Sequence, residues 1–79
     1  MKHNKEITYI EQLKIGQKVY YVPFDLAPKS LCENGIIKDI PDQSSGEVWV
    51  VYNCNDEWEN FMNYTSQLTS ISQLKLGWI

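Results

Sequence analysis

The sequence predicts a small all-β domain, and three observations carry that expectation. Val48-Trp49-Val50-Val51-Tyr52 is an unbroken run of β-branched and aromatic residues, the composition of a buried strand. It is bracketed by Pro41-Asp42-Gln43-Ser44-Ser45-Gly46 and Asn53-Cys54-Asn55-Asp56, both dense in turn formers. A second apolar stretch, Gly35-Ile36-Ile37-Lys38-Asp39-Ile40, stands just before the first turn and reads as its hairpin partner.

The other elements follow in chain order. Residues 1–6 are expected to form a frayed tail and residues 7–79 a single domain. Ile7-Thr8-Tyr9-Ile10 reads as a short strand or an extended lead-in. Glu11 to Gly16 reads as a turn that ends on glycine. Lys18-Val19-Tyr20-Tyr21-Val22 reads as a strand, stopped by Pro23, which cannot donate to a ladder. Phe24 to Asn34 holds Pro28 and no clean period, so it reads as a loop. Phe24, Leu26 and Leu31 predict that this loop folds back onto the core. Asn34-Gly35 marks a turn into the next strand. Ile36 to Ile40, a mobile polar loop over 41–46, and Val48 to Tyr52 form the central hairpin.

Residues 55–65 carry two patterns at once. Trp58, Phe61, Met62 and Thr65 fit a helical stripe, whereas Trp58, Met62 and Tyr64 fit alternation. Asn55, Asn60 and Asn63 weaken a helix, so a turn followed by a third strand, Trp58 to Tyr64, is the expectation. Thr65 to Thr69 reads as a polar crossover. Ser70 to Leu74 reads as a single helical or 3-10 turn capped by Thr69 or Ser70. Lys75 to Ile79 ends in large apolar residues and is expected to pack on the body or add a short strand. Gln12-Leu13-Lys14-Ile15-Gly16 is echoed by Gln73-Leu74-Lys75-Leu76-Gly77. Two copies make no array, and the expectation is one kind of turn leading into a strand at both ends.

Size and charge narrow the function classes. A chain of 79 residues buries only about 60–65% of its unfolded surface, so its ten aromatic residues matter to the core. No apolar run approaches the roughly 18 residues that span a bilayer, and no apolar segment follows the basic Met1 to Glu6, so the expected location is the cytoplasm. In that compartment Cys32 and Cys54 are expected to be free thiols. The net charge is −3 and all seven basic residues are lysine. Residues 42–64 carry Asp42, Glu47, Asp56, Glu57 and Glu59 and no lysine. An acidic chain without arginine is poorly suited to neutralising a phosphate backbone, which argues against a nucleic-acid partner.

Catalytic signals are weak. The only histidine, His3, sits in the tail, so no nucleophile–base arrangement can be built around it. Asp56, Glu57 and Glu59 could act as an acid–base pair but read first as a solvated turn. Asn53, Asn55, Asp56 and Glu57 lack the regular spacing of a calcium loop. No cofactor or metal is expected. The aromatics carry the better hypothesis: Tyr20 and Tyr21 are adjacent and point to opposite faces of a strand, as do Trp49 and its valine neighbours. A domain of this size cannot bury every ring, so some form an exposed patch.

The order of these motifs resembles a known architecture. Leu13-Lys14-Ile15-Gly16-Gln17-Lys18-Val19-Tyr20-Tyr21 resembles the opening of SH3-like and Tudor-like barrels. Glu33 to Ile40 resembles their second strand, and Val48-Trp49-Val50-Val51-Tyr52-Asn53-Cys54 their third. Asn60-Phe61-Met62-Asn63-Tyr64-Thr65, with Leu74-Lys75-Leu76-Gly77-Trp78, resembles a set of small phage and prophage proteins of no common assigned activity. Over roughly residues 12–79 the resemblance implies an SH3-like five-stranded barrel with one short helical or 3-10 turn near the C-terminus. It implies a binding role, because aromatic grooves between the loops of such barrels bind peptides or methylated side chains.

The expected function is therefore a non-catalytic protein-interaction module that can also self-associate. Its expected partner-binding residues are Tyr21, Trp49, Asp56, Glu57, Trp58, Glu59 and Phe61. A phage inhibitor of a host defence nuclease, acting through its acidic surface, is an alternative; a nucleic-acid-binding barrel is a second.

Overall fold

The computed structural model describes residues 13–42 and 44–79. Within them β1 (Lys18–Tyr21), β2 (Glu33–Asp42), β3 (Glu47–Val51), β4 (Gln67–Ser70) and β5 (Leu74–Leu76) form one antiparallel sheet in the order β4-β3-β2-β1-β5. β4 and β5 are its two edges, so the sheet is not closed into a barrel. Three 3-10 turns, Lys29–Leu31, Trp58–Asn63 and Ile71–Gln73, make up the described helical structure. The all-β expectation holds at this level.

β1 forms where Val19, Tyr20 and Tyr21 cluster, and it stops before Pro23 as expected. Its lead-in is tied to β2: the Gly16 N–H donates to Ile37 O at 2.8 Å and the Ile37 N–H to Gln17 O at 3.0 Å. β2 and β3 pair Ile36 with Val51 and Ile37 with Val50, then Asp39 with Trp49 and Asp42 with Glu47. At each later step β2 advances one residue more than β3, which makes two bulges and bends the strand. The hairpin tip is shorter than the expected six-residue loop, because the strands run on to Asp42 and Glu47. The Asp42 carboxylate accepts from both the Ser44 N–H and the Ser44 hydroxyl at 2.9 Å, which holds its pKa below the ordinary carboxylate value.

Side-chain parity sets the core. Val19, Ile37, Val48 and Val50 are fully buried on one face with Leu13 and Leu74, flanked by Tyr21, Tyr52, Ile71 and Leu76. Ile36 and Val51, opposite each other, point to the other face and are buried as well. The Trp58–Asn63 turn lies against β2. Both faces of the middle strands are thus covered, which is why Val50 and Val51 are consecutive and both at 0% exposure.

Four expectations are corrected. The third strand expected over Trp58 to Tyr64 is a pair of 3-10 turns joined at Asn60, closed by Asn60 N–H to Glu57 O at 2.9 Å and Tyr64 N–H to Phe61 O at 3.1 Å. Asn55 and Asp56 enter it with φ of 52° and 65°, a left-handed reversal that short polar side chains tolerate. The polar crossover at Thr65 to Thr69 contains β4, where Thr69 is buried. The Asn34-Gly35 turn is interior strand: Gly35 serves a close approach of β3. The loop residues Phe24, Leu26 and Leu31 point to solvent instead of the core.

The echoed pentapeptides are partly alike. Leu13 and Leu74 both enter the core, and Gly16 and Gly77 both adopt positive φ, 91° and 88°. Gly16 precedes a strand as expected, but Gly77 follows one. The Ile71–Gln73 turn matches its expected place, and its Ser70 cap accepts from the Ser72 N–H. The expected tail, the strand at Ile7 to Ile10, and the Glu11 and Gln12 part of the first turn lie outside the described residues.

Leu26 is 99% exposed with φ of 61°, a conformation that costs an L side chain about 1 kcal/mol and that here secures no burial. Leu26→Gly should raise stability by about 1 kcal/mol, read as a higher urea midpoint at unchanged slope. A loss of stability would show that the leucine makes contacts in solution that its exposure denies.

Candidate functional site

Two surface features concentrate chemistry-bearing side chains. The first surrounds the Trp58–Asn63 turn. Trp49 leaves β3 on the face opposite Val48 and Val50, and with Ile15, Met62, Lys38 and Asp39 it lines a cavity of about 430 Å³. Ile15 and Met62 are 55% and 53% exposed, a large apolar area for so small a molecule. Lys38 does not reach into solvent as a free charge: its Nζ donates to Tyr64 O at 2.7 Å and ties the turn to β2. The Phe61 ring reaches Gly16, its Cζ 3.9 Å from where a Cβ would stand. Trp58 meets Trp78 at 4.8 Å between ring centroids. The Trp78 indole N–H donates to Gly35 O at 2.8 Å, and the Lys18 ammonium sits 4.6 Å from its ring centroid.

The carboxylates of this face stand in the first part of the turn and in the chain leading into it. Asp56, Glu57 and Glu59 are exposed. Glu57 accepts the Tyr64 hydroxyl at 2.8 Å, and that bond first, then burial and the carboxylate's charge, pushes the Tyr64 phenol up. Cys54 lies beneath them at 1% exposure. Burial, then the charges of Asp56, Glu57 and Glu59, push its thiol up and keep it protonated, a poor nucleophile.

The second feature is a cleft of about 310 Å³ between β4 and the strand ends across the sheet, lined by Tyr21, Glu33, Glu47, Tyr52, Thr69 and Gln73 among others. Tyr21 and Tyr52 meet edge to face at 6.1 Å and 71°. The Gln73 amide donates to Tyr21 Oη and to Pro23 O, both at 3.3 Å. The Thr69 hydroxyl donates to Gln67 O at 3.2 Å, which leaves its oxygen to accept from Tyr52 Oη at 2.9 Å.

Tyr52 is pushed up to about 12, chiefly by burial and further by Glu33 and Tyr21. The folded protein thus holds this proton more tightly than the unfolded chain, whose phenol titrates near 10. Between those values the unfolded state binds fewer protons, so stability is complete below the window and falls as pH rises through it. Urea midpoints measured from pH 9 upward should show that fall, and Tyr52→Phe should remove much of it. At neutral pH the same substitution should cost about 1 kcal/mol for the lost Thr69 bond. An undiminished fall in the variant would mean that other groups cause it.

Six of the seven expected site residues, Trp49, Asp56, Glu57, Trp58, Glu59 and Phe61, belong to the turn and the face it covers. Tyr21 stands apart in the cleft. The acidic strip read along the chain is also divided: Glu47 lines the cleft, Asp42 holds the hairpin tip, and the other three enter the turn. Ile15 and Met62 were missed although both are large and apolar, because neither sits in an aromatic cluster. Glu33, Tyr52 and Thr69 come from three strands or strand ends, and no local pattern joins them. Among the described residues no group of three or more metal-ligating side chains comes together, and no helix is long and apolar enough to cross a membrane. Compared with protein-family models, curated proteins and solved structures, the chain has no match in any of the three.

Proposed function

We propose that the protein is a non-catalytic interaction module on an SH3-like, open-sided barrel, and that it docks a protein partner on the Ile15–Trp49–Met62 depression. The SH3-like reading is supported by β1 lying between β2 and β5, by the bulged second strand, and by a 3-10 turn immediately before the last strand. The docking reading rests on one observation: an apolar depression of about 430 Å³ whose walls Ile15 and Met62 stay more than half exposed. Aromatic anchors such as Trp49 dominate binding energies, and an exposed methionine adapts its shape to a partner. Glu59 on the same turn, with Asp56 and Glu57 before it, favours a partner whose apolar anchor is flanked by basic residues.

The test is capture from a lysate of the source organism at two salt concentrations, using the wild type and Met62→Asp in parallel. Met62 is exposed, so the variant keeps the fold. One protein should be retained by the wild type, more weakly at high salt, and its affinity should fall tenfold or more in the variant. Equal retention by both forms would overturn the assignment of this face. Sedimentation of the purified protein at rising concentration shows whether the captured partner is a second copy.

A further inference from the structure

β4 has β3 on one side and no described strand on the other. In an antiparallel ladder an edge strand turns the N–H and C=O of alternate residues outward, ready to pair with another chain. Edges that must stay single are blunted by lysine, proline or an inward charge, and Gln67-Leu68-Thr69-Ser70 has none of these. The cleft of about 310 Å³ opens along this same strand. Its volume lies at the low end for small-molecule sites, about 300–1,000 Å³, and suits one or two side chains attached to a backbone outside.

Chemistry inside the cleft selects those side chains. Glu33 and Glu47 bring two carboxylates, and no lysine or histidine is among its lining residues. Tyr21 and Tyr52 add two ring surfaces and two phenol oxygens. Carboxylates beside aromatic rings match a guanidinium, which pairs with the first and stacks on the second.

We propose that this cleft is a docking site for an extended segment of another protein that adds a strand to β4 and places an arginine side chain between Glu33 and the Tyr21–Tyr52 pair. This surface is separate from the Trp49 depression, and its test does not depend on that one. Main-chain pairing with β4 supplies affinity, and the buried cation supplies the choice of sequence.

The probe is a short fluorescent peptide of alternating threonine and valine with one central arginine, beside a peptide identical except for a central glutamate. Binding is followed by fluorescence anisotropy and by amide hydrogen exchange of the whole chain. The arginine peptide should bind saturably, the glutamate peptide at least about tenfold more weakly. Glu33→Gln and Glu47→Gln, both at exposed positions, should weaken the arginine peptide without shifting the unfolding midpoint. Exchange should slow at outward-facing amides of Gln67–Ser70 when the peptide binds. The proposal fails if binding is not saturable, if both peptides bind alike, or if the β4 amides exchange as fast with peptide as without. It also fails if those amides are already protected in a concentration-dependent way without peptide, which would assign the edge to a second copy.

Discussion

Gly35→Ala is expected to cost about 3 kcal/mol, although it adds a single methyl group to a strand. A Cβ at this position would stand 2.6 Å from Val50 Cγ1 and 3.0 Å from both Tyr52 Cδ1 and the Val51 carbonyl oxygen. None of these can yield easily. Val50 is fully buried, Tyr52 is held by Thr69, and the Val51 oxygen belongs to the backbone of β3. β2 cannot retreat either, because β1 pairs with its other side and the Trp78 indole bonds the Gly35 carbonyl. Overpacking a tight interior costs about 1–3 kcal/mol, and a site with every neighbour fixed belongs at the upper end. Urea unfolding gives the value directly. Gly46→Ala is the control: nothing lies within 4 Å of its Cβ, so only its φ of 72° is strained and the loss should be about 1 kcal/mol. Equal losses at both positions would remove the steric account of Gly35.

Ile37→Ala should cost about 4 kcal/mol. The side chain is completely buried at the centre of β2, opposite Val50 in the core. Truncation loses the transfer energy of its carbons and leaves a cavity that the strands cannot collapse around, since both backbone groups of Ile37 are bonded to Gly16 and Gln17. A chain of 79 residues has a total stability of about 4–12 kcal/mol, so this one change should bring the fold close to its limit. Ile37→Val should cost about 1 kcal/mol, and Ile15→Ala, more than half exposed, under about 0.5 kcal/mol. Thermal or urea unfolding of the three variants tests the order. A mild Ile37→Ala would mean that the sheet repacks far more freely than its hydrogen bonding allows.

The strands that bury side chains on one or both faces were legible in the sequence, because burial writes itself as β-branched and aromatic runs. Val48 to Val51, Lys18 to Tyr21 and Ile36 to Ile40 are of this kind. β4 was not legible: it is an edge strand whose main buried group, Thr69, is satisfied by Tyr52 from a strand end far along the chain. The Trp58–Asn63 segment misled because a 3-10 turn repeats every three residues, between the periods of helix and strand, so Trp58 and Phe61 matched one and Trp58 and Met62 the other. Asn34-Gly35 carried a turn signal, yet the glycine answers the nearness of Val50, which no local pattern records. Of the site, the turn-side residues were legible as a cluster of rings and carboxylates. The cleft was not, since Glu33, Tyr52, Thr69 and Gln73 converge only through the sheet order.

The pairing of β1 with β5 also governs how the chain is made. β1, β2, β3 and β4 each find a partner next to them in the order of synthesis, whereas the second edge of β1 waits for β5, which emerges after all of them. Until Leu74 and Leu76 have left the ribosome, Val19 and Leu13 lack one wall of the core, and the nascent chain presents a sticky half-sheet. The vulnerable interval therefore falls late in translation. Slow codons just before Leu74 would lengthen that exposure.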